Sequence, residues 1–447
     1  MAKFHAQTAP KKIINAWCMY DWANSVYTLV ITTTFFPIYF IAATSAAYPE
    51  NGDRVELLGR SFVNSALYDY ALAGAFLFIA LLYPILTSIA DARNYKKQFM
   101  RFFCYVGGAG CCMLYFFDGF NVGWGIFFFM LGAIGYSGSI VFYNAYLPEI
   151  AHEQDRDRIS ARGFSFGYIG SVILQVIGFA LVIMMPENEG LASRITFLLV
   201  GLWWIGFAQI SFKYLPEGNN TARTKKGWKS LFTDGFVEME KVYRQVKVMP
   251  KLKRFLRGFF FYSMGVQTVM LAATLFGSKI LELDATKLIV TVVVIQLVAI
   301  IGAWMMSRLS ERYGNFPVLI GVIFFWILVC LAAYYTAYTK ELGKDPETMF
   351  YALATAVGLV MGGIQSLSRS TYSKLIPPTK DTATYFSYYD FTEKMAIVIG
   401  MVSFGYIEEL TRDHGGMKNS ILALIAFFAI GVIWLFAAKK AKAVEEE

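Results

Sequence analysis

The residues with the clearest chemical capacity sit in the least hospitable stretch of the chain. From Ala16 to Ile41 it reads AWCMYDWANSVYTLVITTTFFPIYFI, long enough to cross a bilayer, because about 20 apolar residues span the ~30 Å hydrocarbon core. Asp21 interrupts it, and Asn24, Ser25, Thr28 and Thr32 follow at helical spacings. An α-helical reading therefore draws one polar stripe up an apolar, aromatic helix. A charge near the centre of a lone membrane helix costs at least ~3 kcal/mol, so such an acid faces protein or water and is a functional candidate, here the wall of a pathway. The alternative is that Asp21, only about one turn from Ala16, is solvated just inside the interface. A second set lies in YYDFTEKMA, where Asp390 and Lys394 are four apart and can pair on one helical face. Glu393, adjacent to Lys394 on the helix, is expected to find another partner or to be neutral.

The elements that must hold these groups follow from composition. Of 447 residues 57% are hydrophobic, 17% aromatic and only 16% charged, which places the chain among polytopic membrane proteins. Hydropathy gives twelve spans, near 16–43, 62–90, 99–117, 122–147, 163–185, 193–213, 255–281, 286–307, 317–338, 348–372, 385–408 and 419–438. The expected fold class is all-α, two six-helix pseudo-repeat bundles, 1–213 and 255–447, joined by a basic linker, 214–254. In that linker Leu231, Phe232, Phe236, Met239, Val242 and Val246 suggest a helix lying along the membrane surface or a solvated connection. Three quarters of the 40 lysines and arginines fall on one side of this plan, which puts both termini in the cytoplasm by the positive-inside rule. The net charge of +8 then reflects topology and anionic lipid, and no nucleic-acid partner is expected. The five cysteines all lie in apolar runs, so neither a disulfide framework nor a metal site is expected. The polar N-terminus lacks a cleavage signature, and no removable signal peptide is expected. Gly163, Gly167 and Gly170 give the fifth span a small-residue face suited to close helix approach.

Internal comparison brings out paired loop motifs. TSIADARNYKKQF follows the second span and MSRLSERYGNF the eighth, aligning Asp91 with Glu311 and Arg93 close to Arg312. An acid followed by bases at a helix end can bridge in one conformation and release in another, so these four are gating candidates. The motif resembles the signature of the major facilitator superfamily, although Thr87 and Asn94 stand where glycine is usual and Ala92 where a base is usual. YDWANSVY at 20–27, YNAYLPEIA at 143–151, ISARGFSFGYIGS at 159–171, GVQTVM at 265–270 and QSLSRSTYSKLIP at 365–377 together resemble the UMF1 branch, which includes the fungal Atg22-like vacuolar effluxers.

That resemblance implies a carrier whose first, fourth, seventh and tenth helices line a central cavity. Carried onto this sequence, it makes Tyr20, Asn24, Thr28, Asn144, Tyr262, Gln267, Gln365 and Arg369 substrate-binding candidates, with Arg369 equally suited to holding one end of its helix. Met264 stands where the family often has an acid, so proton carriage is expected at Asp21, Asp69 or Glu393. The resemblance implies proton-linked efflux of a small polar solute such as an amino acid from a bacterial inner membrane, by a monomer whose partners are solute, protons and lipid, with no cofactor. Proton-coupled import of a peptide or cell-wall fragment is the alternative. An enzyme is not expected, because His5, His152 and His414 all fall outside the spans, and a non-transporting receptor would not require paired gates.

Overall fold

A backbone surrounded by hydrocarbon has to satisfy its own hydrogen bonds, which leaves helices as the solution for a chain of this composition. In this computed structural model residues 7–217, 237, 240–283, 285–343, 345–411 and 416–441 are described. Twelve long helices occur among them: α1 Lys11–Ala47, α2 Asn64–Arg93, α3 Lys96–Phe116, α4 Val122–Ala145, α5 Arg156–Met184, α6 Glu189–Tyr214, α7 Pro250–Leu275, α8 Ala285–Tyr313, α9 Asn315–Glu341, α10 Glu347–Leu375, α11 Thr382–Leu410 and α12 Met417–Lys440. Ten of the described helices are long and apolar enough to cross a membrane. α11, which is not among the ten, contains Asp390, Glu393 and Lys394. Large apolar side chains such as Phe78, Leu81, Ile301, Trp304 and Val402 are exposed, as expected where the solvent is lipid.

Two features depart from a plain helical plan. Between α1 and α2 the chain forms a hairpin, β1 Arg54–Leu57 paired antiparallel with β2 Arg60–Val63. Its turn, Leu58 and Gly59, has φ of 52° and 74°, the left-handed pair that matches strand twist in a two-residue loop. Within α1, Tyr27–Phe35 is π-helical. The side chains record the wider turn: Thr32 Oγ1 donates to Tyr27 O at 3.4 Å and Thr34 Oγ1 to Leu29 O at 2.9 Å, each five residues back. Because a π turn holds more residues than an α turn, the polar stripe from Asp21 to Thr32 is rotated from Tyr27 onward relative to a straight α-helix.

The chain divides into two compact units. One comprises Ala9–Tyr146 and Phe166–Gly235, the other Met1–Thr8, Leu147–Ser165 and Phe236–Glu447. The first ten residues of α5 thus belong with the C-terminal helices. Leu231, Phe232, Phe236 and Met239 lie outside the described residues, whereas Val242 and Val246 are buried and Gln245 accepts a 2.7 Å hydrogen bond from Tyr385 Oη.

Small residues set the tightest seams. In the first unit a Cβ built on Gly135 of α4 would stand 2.3 Å from Gly107 Cα of α3. In the second, a Cβ on Gly302 of α8 would lie 2.0 Å from Leu359 O of α10, and one on Gly362 of α10 2.1 Å from Ala299 O of α8. Backbones this close leave room only for hydrogen. Gly362→Ala is therefore expected to destabilise by about 1–3 kcal/mol through overpacking. Gly321→Ala, where nothing lies within 4 Å of the added atom, should leave stability unchanged or slightly higher. Melting of the detergent-purified variants measures both.

Candidate functional site

In the first unit the polar groups gather where α1 is pressed between α4 and α5. Gly167 and Gly170 let α5 approach: a Cβ on Gly167 would sit 2.4 Å from Ser25 Oγ and 3.2 Å from Asp21 O. On the other side Tyr143 of α4 donates its hydroxyl proton to Asp21 Oδ2 at 2.7 Å, and Asp21 is only 3% exposed. Tyr143 is itself fixed from α1, since its ring stacks on Trp17 at 4.5 Å and its carbonyl accepts from Trp17 Nε1 at 3.0 Å. Asp21 is thus a buried acid on a short hydrogen bond whose donor cannot swing away freely.

One turn on, Asn24 Nδ2 and then Thr28 Oγ1 are buried without a hydrogen-bond partner. Each such group costs about 1–3 kcal/mol if left unmet, and Tyr20 Oη and Trp22 Nε1 of the same helix are buried in the same way. Tyr20 is turned into the interior of its unit, with Cys104, Ser139 and Trp204 around its hydroxyl and Phe212 6.0 Å from its ring. Asn144 is buried beside Tyr143. Asp69 lies exposed near the start of α2, next to Tyr68, which donates to Thr32 O at 2.5 Å.

The second unit holds a larger polar set. Tyr262 Oη and Ser368 Oγ share a buried 2.7 Å hydrogen bond between α7 and α10. Gln267 Nε2 donates to Glu393 Oε1 at 3.4 Å, and Lys394 Nζ lies 3.0 Å from Glu393 Oε2. That last pair corrects the expectation that an adjacent residue could not reach: the four-carbon arm of lysine swings its ammonium back across the helix face. Asp390, one turn earlier, is 1% exposed. Tyr389 stacks on Phe259 at 4.2 Å, while Gln365 Nε2 contacts Met270 Sδ at 3.4 Å. Arg369 is buried and spans to the start of α5: its Nε donates to Ser160 Oγ at 3.0 Å, an Nη to Ser160 O at 2.9 Å, and its plane covers the Phe164 ring at 4.2 Å.

Beside Arg369 lies a cluster that reading the sequence missed. Asp157, with a side chain 2% exposed, accepts from Lys374 Nζ at 2.7 Å, Ser310 Oγ at 2.8 Å and Asn315 Nδ2 at 2.7 Å. These donors come from α10, α8 and α9. Arg156 adds a 2.5 Å bond to Ser373 O, and Thr382 donates to Glu149 at 2.5 Å. The available signal was an acid between Arg156 and Arg158, and hydropathy gives that no weight. Of the paired loop motifs, Asp91 is 8% exposed with Lys96 Nζ at 3.2 Å, and Asn94 ends α2 in the left-handed conformation. Its counterpart Glu311 is exposed, as is Arg312, whose guanidinium lies over the Tyr313 ring at 5.3 Å. Arg93 closes the last turn of α2.

Known proteins share both the sequence pattern and the fold. Residues 9–447 match the family described as vacuole effluxer Atg22 like. The MFS-type transporter YxiO of Bacillus subtilis is 30% identical over 427 residues, covering 94% of this chain and 93% of that one. Autophagy-related protein 22 of Cryptococcus neoformans is 28% identical over 297 residues, 62% of this chain and 49% of its own length, so about half of that fungal relative is matched. In fold the chain is similar to the human organic anion transporter MFSD10, with a TM-score of 0.71, 12% identity, and coverage of 95% of this chain and 99% of that one. The match along nearly the whole length shows that this chain belongs to the Atg22-like family of major facilitator transporters.

Proposed function

We propose that this transporter works by alternating access and couples the outward movement of a small polar solute, such as an amino acid, to protons. The observation that carries the reading is the Asp21–Tyr143 hydrogen bond: a carboxyl 3% exposed on a membrane-crossing helix, with a phenol as its donor. When the carboxyl is ionised the phenol donates to it. When it is protonated the same oxygen pair can reverse direction, so a proton can be loaded without dismantling the site. Glu393 is the second carrier and Asp69 the third. The description of the family as vacuole effluxers supports carriage of a solute across a membrane.

The solute class follows from charges of both signs in the second unit. Lys394, Glu393 and Gln267 form one hydrogen-bonded chain and Tyr262 and Ser368 a separate pair, so a zwitterion finds a cation for its carboxylate and an anion for its ammonium in the first. Asp390 and Gln365 border this set, and the lysine-rich loops support a cytoplasmic location for both termini.

The Asp157 cluster supplies the latch. Alternating access needs contacts that hold one arrangement and release in another. A carboxylate held by three donors from three helices meets that need, with Asp91–Lys96 as a smaller version.

Purified protein in liposomes tests coupling. An imposed pH gradient is expected to drive transport of an amino-acid mixture, with Asp21→Asn abolishing the gradient-driven component while solute exchange persists. Full pH-driven transport in Asp21→Asn, Asp69→Asn and Glu393→Gln, each made singly, would exclude those carboxyls as carriers.

The latch has its own signature. Asp157→Ala leaves the Lys374 ammonium largely buried without its anion, at a cost of about 3–5 kcal/mol. Melting temperature should fall, and adding Lys374→Met should restore much of it while transport stays altered. A double variant as unstable as Asp157→Ala would mean that Asp157 matters for reasons other than this pair.

A further inference from the structure

The second unit contains a cavity that neither the polar cluster nor the latch uses. It lies among α7 to α12. The starts of α8, α10 and α12 and the later parts of α7, α9 and α11 line it, represented by Phe276, Leu288, Cys330, Ala333, Ala354 and Phe404. All but two lining residues have purely hydrocarbon side chains. The two are Cys330 and Thr291, and the Thr291 hydroxyl is committed to Lys287 O at 2.8 Å.

Water is a poor occupant for such a space, because a buried water needs two to four polar partners. An empty space is also costly, since its lining loses dispersion contacts and the cost grows with volume. Hydrocarbon fits on both counts, and a membrane-crossing protein is bathed in it. Two lysines lie next to the lining in sequence. Lys287 precedes lining residue Leu288, and Lys418 lies one turn before lining residue Ile421. Each makes an ion pair, Lys287 with Glu347 at 2.5 Å and Lys418 with Glu341. An ammonium has three donors, so both can still serve a phosphate. In the orientation proposed above, both lysines face the outer leaflet.

We propose that this cavity is a phospholipid site, holding an acyl tail among α7–α12 with its phosphate at Lys287 and Lys418. The tail completes the packing of the C-terminal helices around a space their own side chains leave open.

The test uses the full chain in liposomes containing a phospholipid with a diazirine in mid-chain. After irradiation and digestion, adducts are located by mass spectrometry. Adducts are expected on peptides carrying Cys330–Ala333 and Phe350–Ala354, as well as on lipid-facing surfaces such as that of Trp304. Ala354→Leu, and more strongly Ala333→Leu with Ala354→Leu, should lower the cavity adducts several-fold and leave those at Trp304 unchanged. Absence of cavity adducts in the unaltered protein overturns the proposal whether or not the variants fold. Undiminished cavity adducts in a folded filled variant overturn it as well. Labelling by a diazirine fatty acid but not by the phospholipid would overturn the headgroup assignment. None of these outcomes depends on solute transport, so the site stands or falls apart from the proposed solute and coupling.

Discussion

Contact between helix backbones is the constraint on which the rest of this structure depends. In hydrocarbon there is little gain from merely burying apolar side chains, so helices associate where small residues let their backbones touch. Along α8 and α10, Gly302 and Gly362 bring the two chains to the limit of approach. Further along the same pair, Gly363 admits the side chain of Met306, and beyond it Ser310 and Lys374 converge on Asp157. The Asp157 cluster is therefore positioned by apolar contact two to three turns away. Were the seam looser, the donors would arrive at the carboxylate with the wrong spacing, and an acid 2% exposed would lose its partners.

The two units solve this packing problem at different helix pairs. The first makes its glycine seam between α3 and α4, the second between α8 and α10. The helix pairs that pack nonetheless repeat, α3 on α4 as α9 on α10 and α2 on α4 as α8 on α10, and what differs is where the closest glycine approach falls. The loop motifs show the same divergence. Asp91 is drawn inward to Lys96, while Glu311 at the corresponding place is exposed and Asp157, from elsewhere in the chain, takes the interior position beside Ser310.

The twelve helices were legible because hydropathy sums over about 20 residues, so no single substitution changes the result. The family was legible from five short motifs spread along the chain, and the match over residues 9–447 agrees. Partners of individual side chains were much less so. Asp157 was invisible because three of its donors arrive from α8, α9 and α10, separated from it by more than 150 positions. The Glu393–Lys394 contact was ruled out by helical spacing, which ignores the reach of a long side chain. The hairpin at Arg54–Val63 rests on two consecutive left-handed residues, one of them Leu58, a residue type that gives no turn signal.

The π segment of α1 bears on how one half of the chain is compared with the other. A π turn is what a helix does with one residue too many when its ends are already fixed by packing. Here Gln175 Nε2, donating to Thr34 Oγ1 at 2.8 Å and Leu29 O at 3.4 Å, helps hold the surplus in place. A second π segment, Phe276–Ile280, follows α7. If Tyr20 is set against Tyr262, Phe276 corresponds to Thr34, so the second segment begins near the end of the first. Set this way, the two halves widen at different points along the chain. An ungapped alignment of one half on the other, faithful at Tyr20 and Tyr262, drifts out of phase between those points, and correspondences drawn through that interval compare side chains that face different ways.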